Sequence, residues 1–225
     1  MNNPRTTGQG MLEIEVNNTG FILHPYRAVF WPEKSTVIVT DLHLGKIQHF
    51  RNAGIYVPSH ASFDNYERLS SLLLDFSPRS ILILGDLFHS HYNQDWKNFC
   101  ELRNSFADIE FSLIPGNHDI VNPGLFEENN VICYGQNHQL GAFCFSHYPR
   151  EDSSALYNIA GHIHPGIRLV GDGLQSLRLP SFYFGRHRGL LPSFGTFTGI
   201  SLIQPEPGDQ VVAITDDGLV RLDTL

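Results

Sequence analysis

Five short apolar runs, each halted by a polar residue that can ligate a metal, constrain this chain more than any other feature. They are STVIVT (35–40), SILIL (80–84), EFSLI (110–114), GAFCFS (141–146) and LYNIA (156–160). Runs of this length, continuous rather than alternating, predict strands buried on both faces. Between the early ones lie two stretches with helical spacing. Phe63, Tyr66, Leu69, Leu72, Leu73 and Phe76 repeat at steps of three or four within 59–76, with Ser59 as N-cap and Pro78 as stop. Trp96, Phe99, Leu102 and Phe106 do the same within 94–106. Strand–helix–strand–helix–strand predicts a parallel-rich α/β core with right-handed crossovers. Upstream, MLEIEV (11–16) alternates as a strand and FILHPYRAVFW (21–31) reads as another before WPEK turns. After residue 180, SFYFG, GTFTGISLI, QVVAIT and GLVRL read as β-hairpin material for a second sheet packed on the first.

What stops each run carries the chemistry. Asp41-Leu42-His43 follows VIVT, Asp86 follows LILG, and Asn117-His118-Asp119 follows SLIPG. His147 follows FCFS, and His162-Ile163-His164 follows NIAG. Open α/β sheets bind ligands outside the carboxyl ends of their strands, so these side chains are expected to converge on one rim. Oxygen and imidazole without thiolate favours Mn, Fe, Zn or Co. These side chains are too many for one tetrahedral zinc, and two Asp, one Asn and four His of this set suit two ions sharing a carboxylate. The 12 histidines point the same way, while the three cysteines have no CxxC spacing and suit a reducing compartment.

Charge narrows the partners. Lys+Arg of 15 against Asp+Glu of 23 gives a net −8, which disfavours holding nucleic acid on a broad basic face. At 225 residues with 41% hydrophobic content, the chain suits a single domain over 1–225 with a full core. No window approaches the ~18 apolar residues of a membrane span. MNNPRTTGQG lacks the apolar region of a secretory leader, so a cytoplasmic location away from membranes is expected. Phe182, Tyr183 and Phe184 beside Arg186 and Arg188 read either as core or as a stacking platform for single-stranded bases, with core the weightier reading.

Asp41-x-His43, Gly85-Asp86, Gly116-Asn117-His118-Asp119, His147 and Gly161-His162-x-His164 resemble, in order and spacing, the motifs of calcineurin-like metallophosphoesterases. DLHLGK (41–46), Phe50-Arg51-x-x-Gly54, GDLFHS (85–90), GHIHP (161–165) and LPSFGTFTG (191–199) resemble the bacterial ligase-associated branch, read as DNA-repair endonucleases. His89 agrees with that branch at a position where many members of the wider family carry Asp. The resemblance implies an α/β (α+β sandwich) fold of two facing mixed β-sheets flanked by helices. It implies one metal on Asp41, His43, Asp86 and His164, and a second on Asp86, Asn117, His147 and His162. Two ions, Mn2+ first among the candidates, would clamp phosphate oxygens and activate a bridging water for in-line attack. His118 then faces the phosphate with Asp119 orienting it, and Lys46, Arg51 and His89 are candidate substrate contacts.

The implied activity is a manganese-dependent single-stranded DNA endonuclease in repair. Its implied partners are a DNA ligase, an exonuclease and a helicase, and exposed C-terminal strands are compatible with a homodimer. Two alternatives stand beside it: a phosphodiesterase or phosphatase for a small nucleotide-type substrate, and a non-catalytic adaptor of the repair complex.

Overall fold

The computed structural model describes residues 6–7, 10–46, 54, 61–88, 94–117, 119, 123–151, 156–171, 175–196 and 198–222. Its first sheet holds β1 (Thr6–Thr7), β2 (Met11–Val16), β3 (Thr19–His24), β4 (Ala28–Trp31), β5 (Thr36–Val39), β6 (Ser80–Ile83), β7 (Glu110–Leu113) and β8 (Val131–Cys133), side by side in chain order. From β1 to β5 the pairing is antiparallel. From β5 to β8 it is parallel. Helices α1 (Ala61–Phe76), α2 (Gln94–Ser105) and α3 (Pro123–Glu128) make the three connections that parallel strands require.

The strand expected over 21–31 is instead two strands of a hairpin. Pro25 brings no N–H to a ladder, and Arg27 turns in the left-handed region (φ 63°) with its amide donating to the His24 carbonyl at 2.9 Å. Ser59, the expected N-cap of α1, lies outside the described residues.

The second sheet holds β9 (Asn137–Leu140), β10 (Phe143–Ser146), β11 (Tyr157–Ala160), β12 (Pro165–Val170), β13 (Ser176–Phe184), β14 (Arg188–Leu190), β15 (Ser201–Leu202), β16 (Gln210–Thr215) and β17 (Gly218–Leu222). Its order is β15-β12-β13-β14-β11-β10-β9, with β16 pairing β13 and β17. This sheet therefore starts well before residue 180. QVVAIT and GLVRL form the expected hairpin, whereas SFYFG is the end of the long strand β13.

Alternate side chains of the central strands serve two cores. Val37, Val39, Ile81, Ile83, Phe111 and Leu113 face Leu69, Leu72, Leu73, Phe99 and Phe126 of the helices. Ile38 and Leu82 point the other way, into a core shared with Phe143, Phe145, Ile159, Phe182 and Val212 of the second sheet. Phe21, Trp31 and Phe143 lock the two sheets together, with ring centroids 5.3 Å apart in every pairing. Phe182 and Phe184 are buried here, so they are core and not a platform. Among the described residues no helix is long and apolar enough to cross a membrane.

Sandwiching the sheets face to face decides where the polar strand ends lie. Of the five runs, three became β5, β6 and β7 of the first sheet, and two became β10 and β11 of the second. Each group is parallel, and side chains from both groups' carboxyl ends lie close together, so all five ends meet at one seam between the sheets.

Candidate metal centre

Each candidate ligand follows a strand end, and at five of them the backbone turns sharply. Asp41 (φ 52°), His43 (47°), Asp86 (49°), His162 (65°) and His164 (51°) all occupy the left-handed region. Asp and His are among the few non-glycine residues enriched there, and such strained positions concentrate at functional sites.

Glycines make the close packing feasible. A Cβ on Gly85 would strike the His147 ring, one on Gly116 would strike the Asp86 carboxylate, and one on Gly161 would strike the Thr40 hydroxyl. The loops GD, GN and GH are thus packed directly against side chains at the ends of other strands.

The side chains gather into two groups. In the first, ligand atoms of Asp41, His43 and His164 lie within 4.8 Å of one another; in the second, those of Asp86, His147 and His162 do. Asp86 stands between them. Its Oδ2 is 3.9 Å from His43 Nε2 and its Oδ1 is 3.7 Å from His147 Nε2. One carboxylate therefore offers an oxygen to each group. Asn117 joins the second, its Oδ1 3.3 Å from His147 Nε2.

Several features fit divalent cations. Asp41 Oδ1 is buried without a hydrogen-bond partner yet lies 3.3 Å from His164 Nε2, so an acceptor is aimed into the first group. Its other oxygen accepts from the His162 amide at 3.0 Å and from the Thr40 hydroxyl at 2.5 Å. Burial opposes ionisation of Asp41, but the nearby His164, the Thr40 hydroxyl and His147 outweigh it and hold the carboxyl below its ordinary range. His147 Nδ1 lies 2.9 Å from the Leu84 carbonyl, so Nδ1 carries the proton and the Nε2 lone pair is turned toward His162 and Asn117 of the second group. Burial, then the neighbouring His147, lowers the pKa of His162, keeping it in the neutral form that binds metal. None of the three free cysteines belongs to either group.

Support for Asp41 comes from a distant loop. Ser193 Oγ donates to the Asp41 carbonyl at 2.8 Å, and the Gly195 amide donates to the same oxygen at 3.1 Å. Arg68 Nη1 donates to the Phe194 carbonyl at 3.0 Å, and Arg27 Nη1 donates to the carbonyls of Ser193 and Gly195. Only the LPSFG string hinted at this support; nothing in the sequence singled out Thr40, Arg27 or Arg68.

The remaining candidates divide. Lys46 is half-buried; burial lowers its pKa while the charges of Asp86 and Asp41 act the other way, which places it beside the site. Arg51, His89 and His118 lie outside the described residues. Asp119 is held by main chain: its Oδ1 accepts from the Phe88 amide at 3.2 Å and its Oδ2 from the Gly116 amide at 2.9 Å. Burial pushes its carboxyl up to about 6. It clamps the loop after β6 to the loop after β7. An Asp119→Ala variant leaves the buried Phe88 amide without its acceptor. A stability loss of about 1–3 kcal/mol is expected in urea unfolding, and an unchanged midpoint would show the clamp to be dispensable.

Comparison with known proteins agrees with this geometry. The structure resembles the crystal structure of Pseudomonas putida nuclease MPE, with a TM-score of 0.78 and 26% identity over 94% of this chain and 100% of that one. It overlaps more loosely with an Aquifex aeolicus protein of unknown function, at TM-score 0.42 and 17% identity over 57% of this chain and 78% of that one. No curated protein sequence matches it. The sequence itself matches calcineurin-like phosphoesterase over residues 34–208. A match over so much of the chain, joined to two candidate metal sites at the strand ends, establishes that the protein belongs to the calcineurin-like phosphoesterases and is a metal-dependent hydrolase of phosphoric esters.

Proposed function

We propose that this protein is a manganese-dependent endonuclease of single-stranded DNA that serves repair in the cytoplasm as a single domain. The observation that carries the reading is Asp86 standing between two three-residue groups, with one carboxylate oxygen toward each. We assign Asp41, His43, Asp86 and His164 to one ion and Asp86, Asn117, His147 and His162 to the other. Ions held there would polarise phosphate oxygens and activate water, the established contribution of two-metal sites to phosphodiester hydrolysis. The choice of nucleic acid is supported by the similarity to a nuclease across nearly the whole chain. The choice of single strands, of repair, and of a ligase, exonuclease and helicase as partners follows the resemblance of the DLHLGK and GDLFHS motifs.

Within this reading His118 donates a proton to the leaving oxygen, Asp119 fixes the loop that carries it, and Lys46, Arg51 and His89 contact the substrate at the rim. The formal charge of −8 becomes −4 once two divalent ions add +4, so attraction of phosphate is local to the site and weak elsewhere. Flexible single strands suit such a protein better than duplex.

Closed circular single-stranded DNA tests the reading, with and without Mn2+, beside a His118→Ala control. A circle offers no end to an exonuclease and no terminal phosphate to a phosphatase. Linear and shorter products that require both Mn2+ and His118 are expected. An intact circle, with a simple aryl phosphodiester still hydrolysed, would overturn the nuclease assignment and move the substrate to small molecules.

A further inference from the structure

One aromatic ring beside the candidate metal centre stands half open to solvent. Tyr148 follows His147 directly, and its ring centroid lies 4.8 Å from that of His147 and 4.5 Å from that of His162. Yet it is 49% exposed, while Phe143 and Phe145 of the strand leading to it are fully buried. A ring recruited for packing closes against its neighbours; this one leaves half its surface open at the edge of the second group.

The turn that presents it is fixed from below. Ser146 Oγ donates to the Tyr148 carbonyl at 2.7 Å. Asn158 Nδ2 lies within 2.9 Å of Ser146 Oγ and 2.8 Å of the Cys144 carbonyl, and its Oδ1 accepts from the Arg150 amide at 2.9 Å. Ser146 and Asn158 are both 3% exposed. Polar side chains placed in a core cost stability unless bonded. These two are bonded, and their partners run from 144 to 150, across the turn bearing Tyr148. The ring is thus held ready, and a rigid aromatic binds with little loss of conformational freedom.

We propose that Tyr148 is a substrate-binding residue on which a nucleobase flanking the scissile phosphate stacks. This rests on the nucleic-acid reading above and adds to it a subsite on the side of His147 and His162. Stacking on an aromatic ring is tolerant of base identity, because every base has a π-face. It suits an unpaired strand, whose bases are free to turn out, and not a duplex. It also supplies grip that does not depend on positive charge, which suits a protein of net −8.

Steady-state cleavage of short single-stranded oligonucleotides with Mn2+ tests this with Tyr148→Ala, Tyr148→Phe and Tyr148→Trp, on substrates carrying an abasic nucleotide either 5′ or 3′ of the cleaved bond. Tyr148→Ala is expected to raise KM about tenfold, in the range one stacked base contributes, with kcat moving much less. Phe and Trp should restore most of the loss. On one of the two abasic substrates, and not the other, the gap between wild type and Tyr148→Ala should close. A packing role would instead lower kcat and Mn2+ content alike on every substrate, and that result would overturn the proposal. So would a Tyr148→Ala enzyme with wild-type KM. If wild-type protein leaves single strands intact, the nuclease reading itself falls, a failure that the variants do not produce.

Discussion

An Asp86→Asn variant is expected to lose about a thousandfold in kcat/KM and to retain at most one divalent ion per chain. Asparagine is the informative replacement. It keeps the volume of the buried side chain, and it tolerates the left-handed backbone at this position (φ 49°) about as readily as aspartate. What it removes is the negative charge and the second equivalent oxygen. In the native chain Oδ1 faces His147 and Oδ2 faces His43, so a single substitution disturbs both groups together. Metal sites contribute several kcal/mol to hydrolysis of this kind, and about 1.4 kcal/mol corresponds to a factor of ten, which sets the thousandfold scale. Elemental analysis of protein dialysed against Mn2+, together with initial rates, checks both parts. Two ions per chain and near-native rates in Asp86→Asn would show that Asp86 bridges nothing.

The ends of the buried runs were readable because a short run of apolar side chains has few places to sit. Val37, Ile38 and Val39 are fully buried, so the polar residues that follow must mark where the strand leaves the core. Glycine was equally legible. In GD, GN and GH it precedes a candidate ligand, and the structure shows that each of these glycines lies against another motif's side chain.

Pairing was not readable. Nothing in FCFS or YNIA states that those strands join a different sheet from VIVT and LILI, since a run buried on both faces has the same pattern in either. A single rim of one sheet was therefore the natural expectation, and the seam between two sheets is the finding. The inner support was hidden for a related reason. Ser193 reaches Asp41 across 152 positions of sequence and Arg68 reaches Phe194 across 126. Such bonds follow from three-dimensional closure and leave no local spacing to detect. Tyr148 was passed over because an aromatic after a histidine reads as ordinary packing until its exposure is known.

The tolerance of the seam is most sharply probed at Gly161. Its backbone lies outside the left-handed region, so alanine there meets no conformational barrier, and any effect must be steric. The new methyl would fall on the Thr40 hydroxyl and within 2.7 Å of Asp41 Oδ2. Neither neighbour can move aside without giving up bonds it already makes. Both are fully buried; Thr40 Oγ1 also lies 2.9 Å from the Leu84 carbonyl, and the Asp41 carbonyl is gripped by Ser193 and Gly195. Asp41 must therefore be displaced from His164, and a shift of about 1 Å in a positioned catalytic group is enough to cost about a hundredfold. Gly161→Ala is expected to fall by at least that factor in kcat/KM and to bind Mn2+ more weakly. Thr40→Ala in the same chain removes the nearest obstructing atom. The double variant should accordingly be less impaired than the product of the two single effects predicts, because the two residues are in contact. Independent effects would mean that the loop relaxes away from Asp41, and wild-type activity in Gly161→Ala would mean that the close approach of the GH loop is not what positions this carboxylate.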